Sequence, residues 1–209
     1  MRNRTTIGLA VIIVTLAIIF LVGHRLGYFW AGGDGVITPV TTELIDVFAA
    51  TDNSHAADTP LLTWLPGEII STPVDQFFAL RTNGPTNAPI FNLDVNSQLK
   101  IISTQGDDIT VDLITGRLVI DGKVTVVVRD TTINIDGIAT LVNYSWLNKM
   151  DVSVLSGSAN IHQGQYSSIV NSDHAVSLDT LTPFEAIKPT TFSVDAASVK
   201  TFYDWALGR

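Results

Sequence analysis

ITVDLITGRLVIDGKVTVVVRDTTINIDGIATLVNYSWLNKMDVSVLSGSANI, residues 109–161, alternates apolar and polar side chains almost throughout. Such a period of two belongs to strands with one face buried and the other wet. Working outward, the same texture covers Ile90–Val95 and Gln98–Ile102 on one side and runs on to Leu178 on the other. Inside it the alternating pieces are Ile109–Ile114, Lys123–Val128, Thr131–Ile135, Ile138–Val142, Asp151–Leu155 and Ala159–Ile161. They are separated by Gly106-Asp107-Asp108, Thr115-Gly116, Asp121-Gly122, Asp136-Gly137 and Ser156-Gly157, which read as turns. Short strands at this spacing predict a mostly β domain over 90–180, an antiparallel or solenoid-like β-sandwich. Parallel α/β folds are disfavoured, because no long helical pattern interrupts the run.

The flanks differ. Ile7–Gly23 is seventeen residues without a charge, and Thr5–Leu26 approaches the ~20 residues that cross a ~30 Å hydrocarbon core. Arg2 and Arg4 precede it, and Tyr28, Phe29 and Trp30 follow where an interfacial aromatic belt would lie. Residues 1–26 therefore read as a short inner tail and an uncleaved transmembrane anchor, with the N-terminus inside and the rest of the chain extracytoplasmic. A cleaved signal peptide is the competing reading, but its apolar core is usually shorter. Residues 27–89 read as a glycine-rich joint and a proline-broken arm. That arm carries a short helical candidate at Thr41–Ala50, with Leu44, Val47 and Phe48 on one face, and extended pieces at Leu61–Leu65 and Glu68–Ser71. Residues 181–209 are a linker and an amphipathic helix, with Asp195 as N-cap and Val199, Phe202, Tyr203, Ala206 and Leu207 as the stripe that docks on the β domain.

Charge and composition exclude several functions. The chain of 209 residues has 12 basic and 20 acidic side chains, a net charge of −8. Without residues 1–25 the balance is 9 to 20, or −11. Nucleic acid needs a basic footprint and is not an expected partner, and anionic headgroups would be repelled. With no cysteine, thiol chemistry and thiolate zinc sites are out. No nucleophile elbow, zincin, phosphate loop or dinucleotide fingerprint occurs, so no catalytic residue, metal site or cofactor is assigned. Of the four histidines, His24 and His55 fall in the boundary and a polar loop, and His162 and His174 read as turn histidines at strand ends. Asn92, Asp94 and Asn96 alternate like the start of a calcium loop but lack its later glycine and glutamate, so they read as the wet face of one strand. The densest unusual cluster is Asn143–Met150. There Tyr144, Trp146 and Asn148 form either a recognition surface for a partner or, since Leu147 and Met150 also favour burial, a lid over the open end of the core.

Three phrases, Val111–Ile120 with Gly116, Gly137–Val142, and Asp151–Ile161 with Gly157, resemble the FecR domain. That domain repeats V-x-L-x-x-G-x-L-x-V, a strand, a glycine and another strand. Where the pattern has a further glycine after Tyr166–Val170, this chain has Asn171-Ser172-Asp173. The resemblance implies an extracytoplasmic β domain on one membrane helix, of the kind whose best-known members are periplasmic regulators. It does not extend to sigma-factor binding, which needs a cytoplasmic domain that the few residues before Ile7 do not supply. Three classes of function follow. The first is a non-catalytic interaction or sensory module facing an envelope protein or polymer. The second is a lipid-carrier scaffold resembling LptC of lipopolysaccharide export, which needs an apolar groove open to solvent. The third is an envelope hydrolase, which needs convergent acids.

Overall fold

Twelve strands in a single antiparallel sheet account for most of the described residues in the computed structural model, which describes residues 45–50, 62–82, 88–105, 108–181, 189–196 and 199–208. The strands are β1 (Ile45–Ala50), β2 (Leu62–Trp64), β3 (Ile69–Ser71), β4 (Phe77–Thr82), β5 (Ile90–Leu93), β6 (Gln98–Gln105), β7 (Asp108–Val128), β8 (Thr131–Tyr144), β9 (Lys149–Gln163), β10 (Tyr166–Asn171), β11 (His174–Asp179) and β12 (Thr190–Thr191). Their order is β12-β11-β9-β8-β7-β5-β4-β1-β2, with β10 also on β9 and with β6 on β7 carrying β3. Every ladder among the described strands is antiparallel, so the stacked parallel turns of a solenoid are not the arrangement adopted. Strands on both sides of residue 90 share this sheet, β4 pairing with β5.

The expected short strands are in fact long ones. β7, β8 and β9 run for 21, 14 and 15 residues straight through Thr115-Gly116, Asp121-Gly122, Asp136-Gly137 and Ser156-Gly157. The last three glycines do not end strands; they stand in register, Gly122 opposite Gly137 and Gly137 opposite Gly157, as a row across the sheet. Gly137 and Gly157 hold φ of 128° and 83°, and a Cβ on either would collide with a carbonyl oxygen next door, that of Ser156 or of Asp136. Backbone approaches this close admit only glycine. The row continues through β10 and β11, which follow one another along β9. They are separated by Ser172-Asp173, where Asp173 takes φ 63° and Ser172 Oγ donates to Gly157 O.

The sheet creases along this row and doubles over. β8 laid straight would put its ends roughly 45 Å apart, yet Arg129, just before β8, donates from Nη1 to Asn148 Oδ1, just after it, at 2.6 Å. Gln163 Nε2 likewise donates to Asp179 O at 3.1 Å. One wing carries residues 123–136, 158–163 and β10; the other carries 116–121, 138–154 and β11. Inward side chains from both, among them Val124, Val126, Ile133, Ile161, Leu118, Leu141 and Val152, share one buried core with Ile45, Leu80 and Phe91. A bulge keeps β9 in phase: Ala139 faces Val154 and Ile138 faces Ser156, so Leu155 is left over. Its inward residues are even-numbered before that point (Met150, Val152, Val154) and odd-numbered after it (Ala159, Ile161).

The outer face of one wing carries a second cluster under the C-terminal helix α1 (Lys200–Ala206). Phe202 and Tyr203 are buried there with Phe77, Val119 and Val194, flanked by Val199, Trp205, Ala206, Leu207 and Leu155. The predicted stripe thus docks on the sheet. The α-helix begins later than the predicted cap: Asp195 lies in a 3-10 turn, Val194–Ala196, and Val199 is the residue that precedes the helix, with no side-chain cap of its own. Thr41–Ala50 is likewise not helical over its described part. Ile45 and Val47 point inward from β1, which pairs with β2 and β4, because sheet contacts outweigh the weak helical spacing of so short a window. Among the described residues no helix is long and apolar enough to cross a membrane; the expected span at 7–23 lies outside them.

Candidate interaction surface

The β8–β9 connection is a 3-10 turn, Ser145–Leu147, closed by Asn148 in the left-handed region at φ 54°. Asparagine tolerates that conformation better than most residues. The turn is anchored from below. Buried Asn143 donates from Nδ2 to Leu113 O at 2.7 Å and to Ile114 O at 2.9 Å, and Ser145 Oγ donates to Thr115 Oγ1. It is anchored from the side as well: Thr180 N and Oγ1 donate to Asn148 O, at 2.7 and 3.1 Å. From the opposite wing Arg129 reaches Asn148 Oδ1, Thr180 Oγ1 and Ser145 O.

On this frame Trp146 is 77% exposed, with Leu147 exposed beside it and Leu181 exposed next to Thr180. Tyr144 and Asn148 are half-buried, and Met150 is buried in the core. Trp146 and Leu147 therefore cover no core; the turn presents them to solvent. Apolar side chains standing out from a fixed, internally bonded loop are the usual make-up of a protein contact surface.

A second polar cluster lies under α1. Arg117 Nη1 pairs with Asp94 Oδ2 at 2.6 Å with both side chains mostly buried, and its guanidinium lies 5.8 Å over the Tyr203 ring. Tyr203 Oη and Thr140 Oγ1 are 3.2 Å apart, and Asn92 Nδ2 donates to Ala206 O. Burial pushes the Tyr203 hydroxyl above its ordinary pKa, against the smaller opposing pulls of Thr140 and Arg117. Asn92 and Asp94 are thus buried by the helix and do not form a wet strand face; Asn96 alone of the three is exposed, at φ 55°. The arrangement ties the helix to the sheet through Asp94, Tyr203, Thr140 and Asn92, while the buried Arg117 Nε keeps no hydrogen-bond partner among the described residues.

The remaining candidates are scattered. His162 sits opposite Thr132 and Ser167, whereas His174 sits opposite Val154 with Nδ1 against Ser172 O. Among the described residues no three His, Asp or Glu side chains gather as metal ligands. Arg2, Arg4, Tyr28, Phe29, Trp30, His24, His55 and Asp107 lie outside the described residues. Arg129 and Thr180 do not stand out in the sequence. The local signal is a two-residue hairpin, Arg129-Asp130, between two alternating runs, and it gives no hint of what the arginine reaches.

The chain matches no protein-family model and no curated protein. Among solved structures it is similar to two from Parabacteroides distasonis, each described as a candidate anti-sigma factor. One is 12% identical with a TM-score of 0.49, over 59% of this chain and 59% of that one. The other is 10% identical with a TM-score of 0.43, over 70% of this chain and 60% of that one. The match spans about three-fifths of the length of each.

Proposed function

We propose that this chain is an extracytoplasmic, FecR-like interaction module, held at the membrane by residues 7–23, that binds an envelope protein or polymer through the Ser145–Asn148 turn and carries a regulatory or sensory signal without chemistry of its own. The observation that carries the reading is Trp146, three-quarters exposed on a turn whose polar groups are already bonded within the protein. Such a turn loses little conformational freedom on binding, so the apolar contact made by its ring converts to affinity with little ordering cost. The inward strand faces support a binding module over a lipid carrier, because side chains such as Val126, Ile133, Leu141 and Val152 are fully buried against one another. A carrier needs that same surface open to acyl chains.

The test is crosslinking in intact membranes with a tag at the C-terminus. The full chain should capture a discrete partner that Trp146→Ala loses while remaining folded and equally abundant. Capture of the same partner in the same yield by Trp146→Ala would contradict the proposal.

A further inference from the structure

Side-chain hydrogen bonds from two residues, Arg129 and Gln163, cross the mouth of the folded sheet, and Arg129 alone makes three. Arg129 donates to Asn148 Oδ1 at 2.6 Å, to Thr180 Oγ1 at 3.3 Å and to Ser145 O at 3.4 Å; Gln163 donates to Asp179 O. All the acceptors belong to the wing that presents Trp146, and both donors belong to the other. Arg129 is also in an unfavourable place. It is the first residue of the two-residue loop between Val128 and Thr131, at φ 52°, where glycine or asparagine fits without steric cost. Its chief acceptor, Asn148, is left-handed too, at φ 54°. Two left-handed backbone positions thus face each other across the mouth, one of them occupied by an arginine that the conformation disfavours, and they are held by a charge-assisted bond, the pattern of a site whose conformation is maintained for use.

We propose that Arg129 is a clasp between the wings, and that the Trp146 surface keeps its shape only while the clasp is shut. The inference rests on the reading of that turn as the binding surface. The physical link is direct. The hinge side of the sheet is fixed by backbone contacts at Gly137 and Gly157, so opening can occur only at the mouth. There, Asn148 and Ser145 lose an ionic donor at the moment the wings part. A partner that grips Trp146 in its closed setting therefore favours the shut sheet, and a force or ligand that parts the wings releases the partner.

The experiment uses the full chain. Because it contains no cysteine, Asp130→Cys and Leu181→Cys give two unique spin-label sites, one on each side of the mouth. With Arg129 present, the pulsed-resonance distance distribution should be narrow. Arg129→Gly, which suits the loop backbone and deletes the guanidinium, should broaden it, and amides 145–148 and 180 should exchange roughly tenfold faster or more, while α1 and the crease keep their protection. Arg129→Lys, which retains the charge but not the fork, should restore part of the protection. Asn148→Gly keeps the left-handed backbone, removes only the acceptor, and should reproduce the local loosening; it decides the matter if Arg129→Gly does not fold. A distribution and exchange pattern unchanged in Arg129→Gly or Asn148→Gly would overturn the clasp. Trp146→Ala should alter neither readout, so failure of the clasp and failure of the binding surface show up in different measurements.

Discussion

Replacing Gly157 by alanine separates a crease from an ordinary turn. At φ 83° a residue with a Cβ carries backbone strain of about 1–2 kcal/mol. Here the added methyl also meets the Asp136 carbonyl, on a neighbouring strand that cannot retreat because it is paired on both sides. Relieving that overlap should cost about 1–3 kcal/mol more, for a total of roughly 2–5 kcal/mol. Against a typical stability of about 5–15 kcal/mol this is a large fraction, and for a domain of this size it corresponds to a fall in Tm of very roughly 5–15 °C. Gly164 supplies the control. It sits in the β9–β10 turn at φ 59° with nothing within 4 Å of the point where a Cβ would stand, so Gly164→Ala should show the conformational cost alone, about 1 kcal/mol. Urea titration of both variants, read as midpoints at constant slope, gives the difference. Equal shifts for the two would refute the reasoning, because they would mean that the strands do not approach one another at Gly157.

The other predictions concern the helix and the anchor. Phe202→Asp places an unpaired carboxylate between Phe77 and Trp205 and should cost about 2–4 kcal/mol by denaturant titration; a change within experimental error would mean that α1 does not dock as described. Because burial raises the Tyr203 pKa above 10.0, its contribution is fully present below the ordinary tyrosine value and is lost as pH rises through the folded one, so alkaline melts should fall more steeply for the native chain than for Tyr203→Phe. Parallel curves would contradict that. Protease added to spheroplasts should remove nearly everything from Gly32 onward, and full protection would reverse the proposed orientation.

The alternation over residues 90–178 announces strands, and the i, i+3, i+4 stripe from Val199 to Leu207 announces the helix that covers them, because both are local patterns with one dominant physical cause. What the glycines do is less legible. A tight turn and a crease in a long strand both require φ > 0, and only the partner across the sheet tells them apart: Gly157 has Gly137 opposite it in register. Asn92 and Asp94 look wet for a similar reason, since Arg117 and α1, which satisfy and bury them, are far away in the chain. At the candidate surface, Trp146 is visible as an aromatic among polar groups. That it faces solvent and does not close the core is decided by Arg129, Thr180 and Asn143, whose bonds to the turn and its base span sequence separations of 16 to 32 residues. Thr41–Ala50 misleads because so short a window can satisfy either period, and over Ile45–Ala50 pairing with β2 and β4 chose the strand.

Native mass spectrometry of the fragment Gly32–Arg209 tests the central claim most directly, since a closed-core binding module and a carrier differ in what they hold when purified. The account predicts a fragment that is free of bound lipid and melts cooperatively, and whose Trp146 is quenched by added acrylamide as an exposed indole would be. Stoichiometric acyl lipid, lost on Val126→Asp while the fold persists, would contradict it and make the interior of the folded sheet, and not the Ser145–Asn148 turn, the working surface of the protein.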